Sequence, residues 1–154
     1  MYQIIQESLF RQDKALHLLR DLLEEEYEIL LGRDTGAVAS LEFSIQELIR
    51  QIAVEKSLVI RSLSGKRVLE YAETLPEDQA SVLRQLFQSV DAGEQGVSRQ
   101  ASRNAQLSLA LLDQSTHNLK ALTSQVTPLT GVYSRNGDIR RSAHPQAALI
   151  SGRL

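Results

Sequence analysis

Three histidines, His17, His117 and His144, are the side chains best suited to bind a metal or move a proton near neutral pH. Their spacing puts no two of them on one helical face. Asp113 and His117 stand four apart, which on a helix makes a surface contact more readily than a ligand pair. The chain has no cysteine, which removes disulfides, thiolate zinc sites and a thiol nucleophile. No Glu-x-x-His element of the helical di-iron kind occurs, and no Gly-x-Ser-x-Gly elbow. Gly93 and Gly96 lack the pattern and the preceding strand of a phosphate-cradling loop. Glu24-Glu25-Glu26 offers three carboxylates, but consecutive helical residues point in different directions, so the run reads as a solvated face. No catalytic group, metal or cofactor is expected.

The remaining chemistry is apolar and electrostatic. In 154 residues, 17 Lys and Arg stand against 19 Asp and Glu, a formal net charge of −2. Residues 1–126 carry 13 basic and 18 acidic side chains; residues 127–154 carry Arg135, Arg140, Arg141 and Arg153 against Asp138 alone. An acidic body with a few basic residues in its tail is a poor nucleic-acid binder. No apolar run reaches the ~18 residues of a membrane span, and the first residues lack a signal-peptide pattern. A cytoplasmic protein without membrane insertion is the expectation.

The elements that would position any site are helical. Ile5, Leu9, Leu16, Leu19, Leu23 and Leu30 follow a 4-3-4-3 spacing interrupted only by Gln12 and Glu26, which predicts a helix over about 3–31. Gly32 suits its C-cap, and Asp34 or Thr35 the N-cap of a second helix. Val38, Leu41, Ile45, Leu48, Ile52 and Val59 give that helix a similar seam, interrupted at Glu55, until Ser64-Gly65. Two helices of about 42 Å joined by a few residues make an elongated antiparallel hairpin over 3–63, with Leu19 and Leu48 buried between them.

A short helix is expected over 66–74. Thr74-Leu75-Pro76-Glu77 then reads as a capping box opening a helix over 75–91. Gly93 and Gly96 predict a break near 92–96, and a last long helix follows over 97–126, ending before Pro128. Its apolar positions include Leu111, Leu119, Leu122 and Val126. Its polar positions are mostly uncharged, as suits either a moderately polar exposed face or a surface that exchanges partners without desolvating charge. Pro128, Gly131, Gly137, Pro145 and Gly152 punctuate residues 127–154, which read as a mobile basic tail. The fold class is all-α, with a helical body over 1–126.

The order of these features resembles one known family. A heptad hairpin precedes a short helix ending in Leu75-Pro76-Glu77; Leu83-Arg84-Gln85-Leu86 and then Asn104-Ala105-Gln106-Leu107 lie on the helices after it. Tyr133-Ser134-Arg135-Asn136-Gly137 stands in the tail. The chain is similar over essentially its whole length to the FlgN family of flagellar type III export chaperones. It departs from the family pattern at Gly131-Val132, where a Thr is usual before the Tyr, and runs on longer after Gly137.

The resemblance implies a cytoplasmic, non-enzymatic chaperone without a cofactor. It would bind the C-terminal helical segments of the two hook–filament junction (hook-associated) proteins and prevent their premature assembly. It would then deliver them to the cytoplasmic domain of the export gate. Helix-in-groove packing fits the residues: Leu111, Leu119, Leu122 and Val126, continued by Leu129, offer an apolar strip for the client, the alternative being that they pack on the hairpin as ordinary core. The resemblance places gate docking on Tyr133. The alternative is an adaptor coiled coil that dimerises through the hairpin, with Gln12, Glu26 and Glu55 setting register. Weak self-association is compatible with either reading.

Overall fold

The computed structural model describes residues 1–126, together with 132–133 and 139–140. The described body is helical: α1 (Tyr2–Gly32), α2 (Thr35–Leu63), α3 (Val68–Ala72) and α4 (Glu77–Val126). Val132–Tyr133 (β1) and Ile139–Arg140 (β2) pair antiparallel over two residues each. The expected mobility of the tail falls outside the described residues. The chain divides into two units, Met1–Ala110 and Leu111 onward.

In the first unit, α1 and α2 form the expected antiparallel hairpin. Its turn caps both helices. The Arg33 N–H donates to the Leu30 carbonyl and the Asp34 N–H to that of Ile29, a Schellman arrangement with Arg33 left-handed at φ 58°. The left-handed residue is thus Arg33; the expected cap, Gly32, is the last helical residue. Asp34 caps α2 by accepting from the Ala37 N–H at 3.0 Å. α2 ends where Ser64 and Gly65 turn left-handed, at φ 49° and 90°.

The seams pack as their spacing requires. Ile5, Leu9 and Leu16 join Val59, Leu63, Val68, Ala72, Ala80, Leu83 and Val90 in one buried cluster. Leu19, Leu23 and Ile45 form a second, against which the half-buried Leu48 packs. The polar interruptions are used inside the chain. Glu55 accepts from Arg11 Nε at 2.7 Å and from Ser8 Oγ at 2.7 Å, tying α2 to α1. Gln12, 2% exposed, lies beside Ser8 with its amide nitrogen 3.5 Å from the hydroxyl.

Two boundaries differ from the sequence expectation. α3 covers five residues rather than 66–74, because the turn after α2 extends to Lys66, whose N–H bonds the Leu63 carbonyl. The Thr74 hydroxyl donates back to the Tyr71 carbonyl at 2.7 Å instead of capping the next helix. That helix takes its first bond from Ala80 N–H to the Pro76 carbonyl.

The larger difference is that no break occurs at 92–96. The expected helices 75–91 and 97–126 are one helix of 50 residues. The reason lies in packing. A Cβ placed on Gly93 would meet Leu16 Cβ and Cδ1 at 3.2 Å, so the glycine admits close approach of α4 to α1 without leaving helical geometry.

α4 runs parallel to α1, in a fixed register. Ser89 donates to Asp13, Gly93 abuts Leu16, and Asn104 donates to Glu26; partners differ in number by 76 at one end and 78 at the other. At that offset the end of α1, Gly32, corresponds to about residue 109 of α4. The first unit ends at Ala110.

Candidate functional site

The register assigns two environments to α4. From Ala80 to Asn104 its inner positions are covered: Ala80, Leu83, Val90, Gln100 and Asn104 are all buried. From Ala105 on, every residue with a described side chain is exposed except the half-buried Leu107 and Leu111.

The covered part closes on a polar cluster. Asn104 Nδ2 donates to the Leu23 carbonyl at 2.7 Å and to Glu26 Oε2 at 2.6 Å. Its Oδ1 accepts from Gln100 Nε2 at 3.0 Å, and Gln100 Oε1 accepts from Arg103 at 3.2 Å. The Arg103 guanidinium lies 4.9 Å from the centre of the Tyr27 ring. Each buried polar group in this cluster has a partner, and the same holds for buried side-chain polar atoms throughout the described residues. Glu26 is therefore a bonded seam residue, unlike the solvated face expected of Glu24–Glu26. Its signal was visible in sequence as a polar residue at a seam position.

In the second unit, Leu119 and Leu122 are 61% and 59% exposed, and Leu112, next to the half-buried Leu111, is 64% exposed. At 100° per residue, positions 111, 119, 122 and 126 share an arc of about 80°, with Leu112 at its edge. Val126 is the last residue of α4, and its side chain lies outside the described set, as does Leu129. The backbone of Tyr133 pairs with Ile139 in the β1–β2 ladder. The strip residues of α4 thus share one face.

Three hydroxyls of this stretch bond back to carbonyls of their own helix. Thr116 Oγ1 donates to the Leu112 carbonyl at 2.9 Å, Thr123 to Leu119 at 3.0 Å, and Ser124 to Ala121 at 2.8 Å. Between 111 and 126 only Asp113, His117 and Lys120 are charged or titratable near neutrality. Hydroxyls already bonded to carbonyls ask little of a partner, so the leucines are what this face offers.

Chemistry elsewhere is sparse. His17 and His117 place Nδ1 2.8 and 3.1 Å from the carbonyls of Asp13 and Asp113, one turn back on their own helices. His144 lies outside the described residues. Among those residues no group of three His, Asp or Glu could hold a metal ion, and no helix is long and apolar enough to cross a membrane. An open groove of about 670 Å³ between α1 and α4 is lined by Gln3, Gln6, Phe10, Val82, Leu86 and Ser89, with Glu7 as its one charged residue.

Among the described residues, Glu55 combines partial burial with a displaced pKa. Hydrogen bonding from Arg11 holds its carboxyl below the ordinary 4.5, aided by Ser8 and opposed by burial. That is the signature of an inter-helix tie.

A continuous helix, covered along half its length and carrying exposed leucines further on, defines an all-α protein. The model of the FlgN protein family matches residues 1–141. The chain belongs to the FlgN family, a family of flagellar export chaperones. The match ends 13 residues before the last residue of the sequence. No curated protein and no solved structure gave a significant match.

Proposed function

We propose that this chain is a cytoplasmic chaperone for hook-associated proteins, and that it holds their C-terminal helical segments against the exposed face of α4. One observation carries the reading: in a member of a flagellar chaperone family, Leu119 and Leu122 stand about 60% exposed on a helix whose inner face is covered from Ala80 to Asn104. An amphipathic client helix laid on Leu111, Leu119, Leu122 and Val126, and continued over Leu129, buries apolar area on both partners. The client's own assembly surface is then occupied, which keeps it from premature polymerisation.

Tyr133 serves delivery. Pro128 and Gly131 separate it from the strip, so its ring can address the cytoplasmic domain of the export gate while the strip holds the client. An aromatic body with a hydroxyl suits a small transient anchor. No step in this function needs a catalytic group or cofactor.

The competing adaptor reading draws less support, because Gln12, Glu26 and Glu55, the polar seam residues it would use between chains, are engaged within this one.

The two roles separate by experiment. In calorimetry of the full chain, Tyr133→Ala leaves affinity for a purified client segment within about twofold and weakens recruitment of the loaded complex to the gate domain about tenfold or more. Loss of client binding with gate binding intact would reverse the assignment.

A further inference from the structure

We propose that Asn104 is the positioning residue that keeps α4 helical beyond the body, so that the leucine face is presented without Asn104 touching any partner. The argument starts from helix formation. Initiating a helix fixes several residues for one hydrogen bond, whereas extending an existing one adds a bond per residue. Nucleation is unfavourable for an isolated helix of this length, and residues 105–126 are not uniformly strong helix formers. They include Ser108, Asp113, Ser115, Thr116, His117, Asn118, Thr123 and Ser124, all weaker helix formers than Ala or Leu. Hydroxyls bonded back to carbonyls one turn away compete with helical geometry. Only Leu107 and Leu111 gain partial burial.

This stretch therefore extends from whatever turn is fixed before it. Asn104, 4% exposed, is the last fully buried residue along α4 among those described. Two donated hydrogen bonds reach α1, and its carbonyl oxygen holds Gln100, whose own oxygen holds Arg103 over Tyr27. One turn is thus fixed from several directions immediately before cover ends. An apolar residue there would fill space but would not fix the turn's rotation or height, since dispersion contacts are not directional.

The last step rests on the reading of the leucine face as the client site. Apparent affinity scales with the population of the competent state. If the extension is helical about a tenth of the time, a client that needs it binds about tenfold more weakly.

Amide hydrogen exchange on the full chain tests the tie without any client. Asn104→Leu is expected to accelerate exchange at 106–126 about tenfold while leaving Ile5–Leu23 within about twofold. Adding Thr116→Ala and Thr123→Ala, which raises helix propensity off the leucine face, is expected to restore protection and, with it, affinity for a hook-associated client segment. If Asn104→Leu does not fold, Glu26→Ala removes one of the two bonds and gives a smaller acceleration over the same amides. Unchanged exchange at 106–126, or equal acceleration in α1, overturns the proposal. Exchange that responds as expected while client affinity stays constant upholds the tie and removes the leucine face as the client site.

Discussion

Leu83 and Val90, early in α4, are 0% and 5% exposed, whereas Leu119 and Leu122, later in the same helix, are 61% and 59% exposed. Both pairs lie on apolar stripes of one continuous helix, so local sequence does not distinguish them. What distinguishes them is burial: the first pair is packed in the core of the first unit and the second pair is exposed. α1 ends at Gly32, and its register on α4 corresponds there to about residue 109. α4 thus carries a covered apolar stretch in the first unit and exposed leucines in the second.

The largest expected effect sharpens this contrast. Leu83→Ala leaves a cavity in the core and costs about 2–5 kcal/mol of stability in urea unfolding. Leu119→Ala removes a side chain already in water and shifts stability by less than about 0.5 kcal/mol. Comparable losses in the two variants would mean that the later leucines are also core.

The two glycines of α4 give the next test, with opposite signs. A Cβ added at Gly96 would have nothing within 4 Å, so Gly96→Ala gains helix propensity and stabilises by about 0.5–1 kcal/mol. Gly93→Ala gains the same propensity but pushes on the buried Leu16 at 3.2 Å, and a net loss of about 1 kcal/mol is expected in thermal melts. Stabilisation by both substitutions would show that α4 does not lie so close to α1.

These glycines also show where sequence reasoning stopped. The hairpin was legible because its evidence is local: a 4-3 seam, Asp34 at a cap, and Ser64-Gly65 at an end. The continuity of α4 was not, because a glycine that breaks a helix and one that admits a neighbour look alike until the neighbour is placed. Asn104 was visible as part of a family-like motif, and Glu26 as a flaw in a seam. That each completes the other depends on the parallel register of α1 and α4, which no spacing within either helix reveals. In the candidate site, the strip positions were legible from periodicity, but exposure was not.

A further, pH-dependent effect concerns the base of the hairpin and leaves the leucine face untouched. Glu55 has a carboxyl held below its ordinary pKa by Arg11, so the folded state favours its charged form. Its contribution is present above the ordinary value of 4.5 and is lost as pH falls through and below it. Glu55→Gln is expected to cost about 1 kcal/mol at pH 7 and to flatten the decline in stability between about pH 5 and pH 3. A variant whose acid unfolding profile overlays that of the parent would remove Glu55 as a tie.

The central claim, that the exposed half of α4 is where the chaperone holds its client, is tested most directly by charging that face. Leu119→Asp with Leu122→Asp places two carboxylates where an apolar helix must dock, without touching the buried body. Calorimetric titration of the full-length double variant with a hook-associated C-terminal segment is predicted to show affinity reduced by about 100-fold or more, with thermal unfolding of the body unchanged. Affinity within about twofold of the parent, in a variant that melts as the parent does, would contradict the account.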